Sequence, residues 1–187
     1  MNKSIILVFL LSGVYCAAQT DTRLYISRLG WTLAIPGGYK ISDTAVHIKD
    51  FDKEVKWKEQ DISSFPNNKL FNIENSPTCF MAASLLPYDS TKDGQWNAFV
   101  AKGNLLTIKD VAVAPFTLDT VSVKEVIAGL EFNRMDITMK LQQQVLLRAI
   151  DLNRQFGDHA LRISLSYTRQ EDADKYMHIL KTSVFAR

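Results

Sequence analysis

The stretch that decides the fold is HALRISLSYT, residues 159–168. Leu161, Ile163, Leu165 and Tyr167 alternate in it with polar residues. Successive side chains of a strand point to opposite faces, so this alternation predicts a β-strand with one buried face.

The segment before it, VLLRAIDLNRQF (145–156), predicts a second strand. Gly157 and Asp158 lie between the two, and both residue types tolerate the positive φ of a tight turn. We therefore expect an antiparallel hairpin.

Two more strands precede this hairpin. MDITMKL (135–141) places Met135, Ile137, Met139 and Leu141 on one face, and QQQ (142–144) links it to the strand that starts at Val145. VSVKEVIAGLEF (121–132) changes phase near Gly129, which indicates a turn or bulge. Together the four strands predict an antiparallel meander.

The first half of the chain predicts further strands. RLGWTLAIPGGYKI (28–41) is typical of a strand that ends at Pro36 and two glycines. KLFNIENSPTCFMAASLLPY (69–88) predicts a hairpin with its turn at residues 75–77.

Three helices are expected to cover the sheet. The last begins with Thr168 as cap and Glu171 as its reciprocal partner. Its apolar stripe is Ala173, Tyr176, Met177, Leu180 and Val184.

The other two helices lie upstream. One covers Gln95 to Val113, has Gly103 as a weak point, and presents Trp96, Phe99, Val100, Leu105 and Leu106. The other runs from about Thr44 to Gln60 and presents Ile48, Phe51 and Val55.

This order of elements predicts an α+β fold, in which an antiparallel β-sheet of about six to seven strands is sandwiched by helices. The order and several segments resemble the Mog1/PsbP-like α/β/α fold, especially small exported bacterial members. The segments are WTLAIPGGYK (31–40), IAGLEFNRMDITMKL (127–141), the strand pair 145–168 and the closing LKTSVF (180–185). The resemblance spans nearly the whole chain after the leader and includes no catalytic signature.

Members of that family act by binding partners: one type assists a nuclear-transport GTPase and another caps the oxygen-evolving photosystem. No residue of this chain matches a known partner surface. A shared fold alone transfers no function.

The chain begins MNKSIILVFLLSGVYCAAQT, which predicts a secretory signal peptide over residues 1–18 and one domain over 19–187. The apolar run Ile5 to Val14 is too short for a membrane-spanning helix. We expect cleavage after Ala18, which leaves Gln19 as the first residue of a periplasmic or extracellular protein.

A lipoprotein anchored at Cys16 is the alternative. It is disfavoured because Tyr15 stands where the lipoprotein peptidase requires a small side chain. Loss of Lys3 with the leader lowers the formal net charge from +2 to +1, and Cys79 becomes the one remaining cysteine. The apolar neighbours of Cys79 predict a buried thiol without a disulfide.

The sequence predicts no catalytic, cofactor-binding or metal site, no cofactor and no nucleic-acid partner, and it leaves the binding residues unknown. His47, His159 and His178 are scattered, and Asp174 with His178 is typical of an exposed helix pair.

Among carboxylates, Asp50, Asp52, Glu54 and Glu59 follow a mixed-charge helix, and Asp119, Glu125 and Glu131 are expected to face solvent. PGGYK (36–40) lacks the rest of a phosphate loop, and Trp31, Trp57 and Trp96 are expected to close a core.

The leading hypothesis is therefore a non-enzymatic binding or accessory module of the bacterial envelope, with an unknown protein or small-molecule partner. The alternative is a hydrolase or metal-dependent enzyme whose site is assembled only in three dimensions.

Overall fold

The computed structural model describes residues 22–42, 47–49, 69–76, 78–111 and 116–186. The strands within these ranges are β1 Thr22–Ile26, β2 Trp31–Ile35, β3 Lys40–Ser42, β4 His47–Lys49, β5 Lys69–Ser76, β6 Cys79–Pro87, β7 Phe116–Ile127, β8 Leu130–Leu141, β9 Gln144–Phe156, β10 His159–Tyr167 and β11 Val184–Phe185. The helices are α1 Ser90–Asp93, α2 Trp96–Val111 and α3 Gln170–Lys181.

The strands form two sheets in which all neighbours are antiparallel. The larger sheet has seven strands in the order β3-β5-β6-β10-β9-β8-β7, and the smaller has the order β11-β2-β1-β4. The predicted α+β fold with its antiparallel sheet of six to seven strands is confirmed. Of the small sheet only β2 was predicted, as the strand that ends before Pro36. Its other strands have only two to five residues, and β11 joins β2 from a distant part of the sequence.

The meander from β7 to β10 is confirmed, with its turns where the sequence placed them. Ala128 and Gly129 adopt positive φ between β7 and β8, as do Gln142 and Gln143 between β8 and β9. Gly157 has a φ of 57° between β9 and β10. These left-handed residues allow the chain to reverse tightly while the strands keep their twist.

One face of the seven-stranded sheet, which we call the inner face, carries the hydrophobic core. Leu161, Ile163 and Leu165 of β10 are buried on it, as their alternation predicted. The small sheet and α3 cover this face, and Trp31 of β2 packs there against Phe71, with ring centroids 5.7 Å apart.

Helix α3 differs from prediction at both ends. Its N-cap is Arg169 and makes no side-chain capping bond, so the predicted capping box at Thr168 is wrong. The reason is that the Arg169 side chain binds the carboxylates of Glu171 and Asp172, which therefore do not reach back to the backbone. Val184 is also not part of the apolar stripe: the helix ends at Lys181, and Val184 is 61% exposed in β11. The other four stripe residues are buried.

The helix predicted over Gln95 to Val113 is confirmed as α2 for Trp96–Val111, and residues 112 and 113 lie outside the described residues. The predicted helix over Thr44 to Gln60 is wrong at 47–49, where the chain forms β4 and pairs with β1 instead. Residues 44–46 and 50–60 lie outside the described residues, as do the leader and Cys16. None of the described helices has the length and apolar character needed to cross a bilayer.

Candidate functional site

The outer face of the seven-stranded sheet, opposite the core, carries an unusual mixture of side chains. Opposed residues of antiparallel strands share a face. Ser164 is opposed by Ala82 on one side and by Asp151 on the other, and Asp151 is opposed in turn by Met135. Polar and apolar side chains therefore meet on one surface.

Helix α2 is fixed to one part of this surface by an aromatic cluster. The ring of Tyr88, just after β6, lies 5.3 Å from that of Trp96 and 5.0 Å from that of Phe99. The Tyr88 hydroxyl also donates to the carbonyl of Gly94 at 2.9 Å. Helix α2 contacts β9, and its Asn97 lines a surface depression together with Asn133 of β8.

A cleft of about 180 Å³ lies further along the outer face, and we call it the sheet groove. Its walls are mainly apolar side chains from four strands. Its lining comprises Phe80, Ile137, Met139, Leu147, Ala149, Asp151, Arg162, Ser164, Ser166 and also Leu165, whose side chain belongs to the core on the inner face.

The floor of the sheet groove holds a compact polar network. Asp151 is only 2% exposed, and one of its carboxylate oxygens accepts from Arg162 Nη2 at 2.6 Å. Its other oxygen accepts from Ser164 Oγ at 2.6 Å. Both carboxylate oxygens thus have donors, which is the condition for burying such a charge without a large penalty.

The polar network of the sheet groove is better suited to binding a ligand than to catalysis. The Ser164 hydroxyl is committed to Asp151, and no described groove residue is a histidine that could activate it. Because the Asp151–Arg162 pair is compensated internally, a charged ligand would have to disrupt it. The groove therefore favours an uncharged apolar group.

A second depression, of about 610 Å³, gathers carboxylates beside the turn between β9 and β10. Asp89 caps α1, and its bonds from Thr91 lower the pKa of that carboxyl. The hydrogen bond with His159 lowers the pKa of Asp158. Glycoside hydrolysis needs one carboxyl whose pKa is raised so that it can donate a proton, and neither residue is in that state.

A third depression, of about 530 Å³, lies between the PGG turn and α3. Asp174 and His178 both line it and are exposed, as the sequence predicted for a helix pair. Asp174 accepts a hydrogen bond from Gln170 at 3.0 Å. Among the described residues no group of three or more His, Cys, Asp or Glu side chains is placed to hold a metal ion.

The three histidines lie on three separate elements. His47 belongs to β4 and is opposed by Tyr25, whereas His178 is on α3. His159 opens β10, where its Nε2 lies 2.5 Å from Arg28 and its Nδ1 lies 2.5 Å from Asp158. The structure therefore places His159 in a surface charge cluster.

Cys79 is buried, as predicted, and is the free cysteine of the described chain. Its thiol donates to Asp172 at 3.5 Å. The hydrogen bond from Arg169 lowers the pKa of the buried Asp172 carboxyl, outweighing the effect of burial. The Tyr176 hydroxyl donates to the carbonyl of Cys79 at 2.9 Å, and burial raises the pKa of that tyrosine. This cluster fastens α3 to β6.

The remaining sequence candidates have structural roles where they are described. Asp119 and Glu131 are exposed, as expected, and pair with Lys140 and Lys124. Glu125 was predicted to face solvent, but its side chain is only 18% exposed, so this prediction is wrong. Burial alone would raise its pKa, but hydrogen bonds from Lys181 and Arg134 lower it overall. Trp31 and Trp96 pack in aromatic clusters; Trp57, Asp50, Asp52, Glu54 and Glu59 lie outside the described residues.

Solved structures share this architecture. The solution structure of cyanobacterial PsbP (CyanoP) from Synechocystis sp. PCC 6803 aligns with a TM-score of 0.60 and 8% identity, over 89% of this chain and 93% of that one. This chain has a PsbP-like fold.

A crystal structure from Bacteroides thetaiotaomicron VPI-5482 aligns with a TM-score of 0.50 and 9% identity, over 90% of this chain and 49% of the other. No protein-family model matches the sequence. No curated protein matches it either. Identities this low show the fold alone and transfer no binding partner to this PsbP-like domain.

Sequence reasoning missed the residues of the sheet groove. Arg162, Ser164 and Ser166 are the polar residues of the β10 alternation, which by itself predicts only that the opposite face is buried. The available signal was Asp151, a carboxylate that lies directly between the apolar residues Ile150 and Leu152. Only the strand pairing shows that it lies beside Arg162 and Ser164 under an apolar cleft.

Proposed function

We propose that this chain is an exported binding or accessory module of the bacterial envelope, and that the sheet groove is its binding site. The observation that carries this proposal is the apolar cleft of about 180 Å³ above the compensated Asp151–Arg162 pair. The signal-peptide pattern of residues 1–18 supports export, and the PsbP-like fold is compatible with an accessory role.

Binding is driven by burial of apolar surface. An uncharged apolar group of a ligand or partner side chain enters between Phe80, Ile137 and Leu147. Each Å² of apolar surface removed from water contributes about 25 cal/mol, so a small ring or short alkyl group gives weak, reversible binding. Met139 adapts the wall to the shape of the group, because methionine is flexible and unbranched.

An NMR titration with hexanol tests the site directly. We expect the methyl signals of Ile137 and Met139 to shift, whereas those of the exposed Val184, which lies outside the groove, stay in place. Leu147→Lys should abolish the shifts, and Val184→Lys should preserve them. Equal shifts in both variants would show that the groove is not the site.

A cross-linked pull-down from the envelope fraction tests the partner. A protein recovered with the wild type and Val184→Lys, but lost with Leu147→Lys, supports the groove as the docking site. Equal recovery with all three baits, or none above background, counts against it.

The intact mass of the exported product tests the predicted export and cleavage site. We expect a chain that starts at Gln19, cyclised to pyroglutamate. A diacylated chain that starts at Cys16 would contradict the predicted cleavage, and an uncleaved cytosolic chain would contradict export.

A further inference from the structure

The edges of the two sheets differ greatly in length. β3, β4 and β11 are edge strands of two or three residues. The remaining edge is β7, which has twelve residues, and within the described ranges no strand pairs with its outer side. Proteins keep exposed edges short because unpaired backbone groups invite pairing with another chain. β7 lacks this protection.

β7 also lacks two of the other features that prevent edge pairing, although it does carry the charged residues Asp119, Lys124 and Glu125. It contains no proline or glycine, and its register with β8 runs without a bulge from Phe116 to Ile127. Three of its valines are strongly exposed: Val121 at 58%, Val123 at 46% and Val126 at 62%. β-branched side chains on a regular open edge favour the addition of another strand.

We propose that β7 pairs antiparallel with β7 of a second copy of this chain, across a two-fold axis at Val121. The result is one continuous sheet through the dimer.

Symmetry and charge select this register. Opposed residues share a face, so the two-fold axis must pass through a residue and not between two residues. An axis at Ser122 sets Asp119 opposite Glu125 at two places, which is unfavourable for like charges.

The alternative axes at Thr120 and Val123 shorten the overlap. The Thr120 axis pairs residues 116–124 and leaves Val126 outside, whereas the Val123 axis sets Val121 opposite Glu125. The axis at Val121 pairs residues 116–126 without opposed like charges. It sets Val121 against its own copy and Val126 against Phe116.

A second copy satisfies this edge better than an unrelated strand. It has the same length, and the charges of β7 are already paired within each copy, Asp119 with Lys140 and Lys124 with Glu131. In a two-fold dimer the open β7 edges of the two copies pair with each other, so no edge of this length is left for a third copy. The axis is normal to the sheet, so the two outer faces lie on the same side of the dimer.

Disulfide cross-linking tests the register. In a Cys16→Ser background, Val121→Cys should give a covalent dimer on mild oxidation, because its two copies are directly opposed. Val184→Cys, which is similarly exposed but lies on β11, should stay monomeric under the same conditions. Cross-linking through Val123→Cys but not Val121→Cys would overturn the register.

Light scattering coupled to size exclusion tests the assembly. The wild type and Val184→Glu should form a dimer whose fraction rises with concentration. Val121→Glu should be monomeric because it opposes two carboxylates at the axis, and its circular dichroism should stay that of the wild type. A wild type that remains monomeric at every concentration, or a Val121→Glu variant that is folded and dimeric, would refute the proposal.

Discussion

At the scale of single residues, this domain depends on a few charged side chains that are buried with their partners. Asp151 and Asp172 are each about 2% exposed, yet they lie on opposite sides of the large sheet. One binds Arg162 and Ser164 under the sheet groove; the other binds Arg169 and Cys79 against the core. Each carboxylate joins elements that apolar packing alone would position less specifically.

Replacing Asp151 with Asn should destabilise the fold by about 2 kcal/mol, because Arg162 loses its ion pair. The figure is below that for a fully buried pair, since the Arg162 side chain is 24% exposed. Urea denaturation measures it. The exposed pair of Asp119 and Lys140 offers the control: Asp119→Asn should cost about 0.5 kcal/mol or less. Equal losses in the two variants would contradict a special role for Asp151.

Asp172 should make stability depend on pH in the acid range. Its pKa is lowered in the folded state by the hydrogen bond from Arg169, so its contribution is present above the unfolded pKa of about 4. That contribution disappears as the pH falls through the folded pKa. The stability gap between wild type and Asp172→Asn should therefore narrow between about pH 5 and pH 2.

Urea midpoints across this range measure the Asp172 effect. Asp174→Asn, two residues along the same helix and exposed, should run parallel to the wild type. A gap between wild type and Asp172→Asn that stays constant down to pH 2 would show that the carboxylate charge does not contribute.

At the scale of elements, α3 is held to the sheet by its apolar stripe, by an ion pair at its last residue and by the hydrogen bond from the Cys79 thiol to Asp172. Glu125 of β7 binds both Arg134 of β8 and Lys181, the last residue of α3. Near the first turn, Arg169 holds Asp172. The helix therefore needs no side-chain cap, which explains why a capping-box interpretation of TRQE failed.

Shortening the side chains of two predicted members tests where the apolar stripe of α3 ends. Leu180→Ala should cost about 2–4 kcal/mol, because Leu180 is fully buried and its removal leaves a cavity. Val184→Ala should cost no more than about 0.5 kcal/mol, since Val184 is exposed in β11. Chemical denaturation of both variants decides whether the apolar stripe ends at Leu180. A similar loss of unfolding free energy in the two variants would show that Val184 belongs to the stripe.

At the scale of the whole molecule, the described start and end of the chain meet in the small sheet. β11 pairs with β2, and Trp31 Nε1 donates to Ser183 Oγ at 2.9 Å. The ring of Phe185 stacks on that of Trp31 with centroids 5.2 Å apart. Residues 183–185 therefore complete the core packing around Trp31 of β2.

A chain that ends after Lys181 should lose about 3 kcal/mol or more. The truncation leaves the buried Trp31 N–H without its acceptor and removes the stacked ring of Phe185. Near-ultraviolet circular dichroism and urea unfolding measure the loss. A chain that ends after Phe185 keeps both contacts and should lose about 1 kcal/mol at most, from the bond between Ala186 N–H and the Gly30 carbonyl. Equal stability of the two truncated chains would contradict this closure.

The sequence by itself determined the elements whose signal is local. Alternation along β10, the turn residues at Gly129 and Gly157, and the spacing in α3 each report on their own neighbourhood, because a strand or a helix face repeats within a few residues. That was enough for the α+β class, the antiparallel meander and the burial of Cys79.

Only the tertiary structure decided the small sheet, the sheet groove and the exposed edge of β7. β4 and β11 are too short to carry a period, and they exist because β1 and β2 offer backbone partners. Asp151 and Arg162 come together only when β9 and β10 pair, and the polar side of a strand looks the same in sequence whether water or a groove lies above it. The physical reason is that these features depend on long-range pairing, which local patterns do not encode.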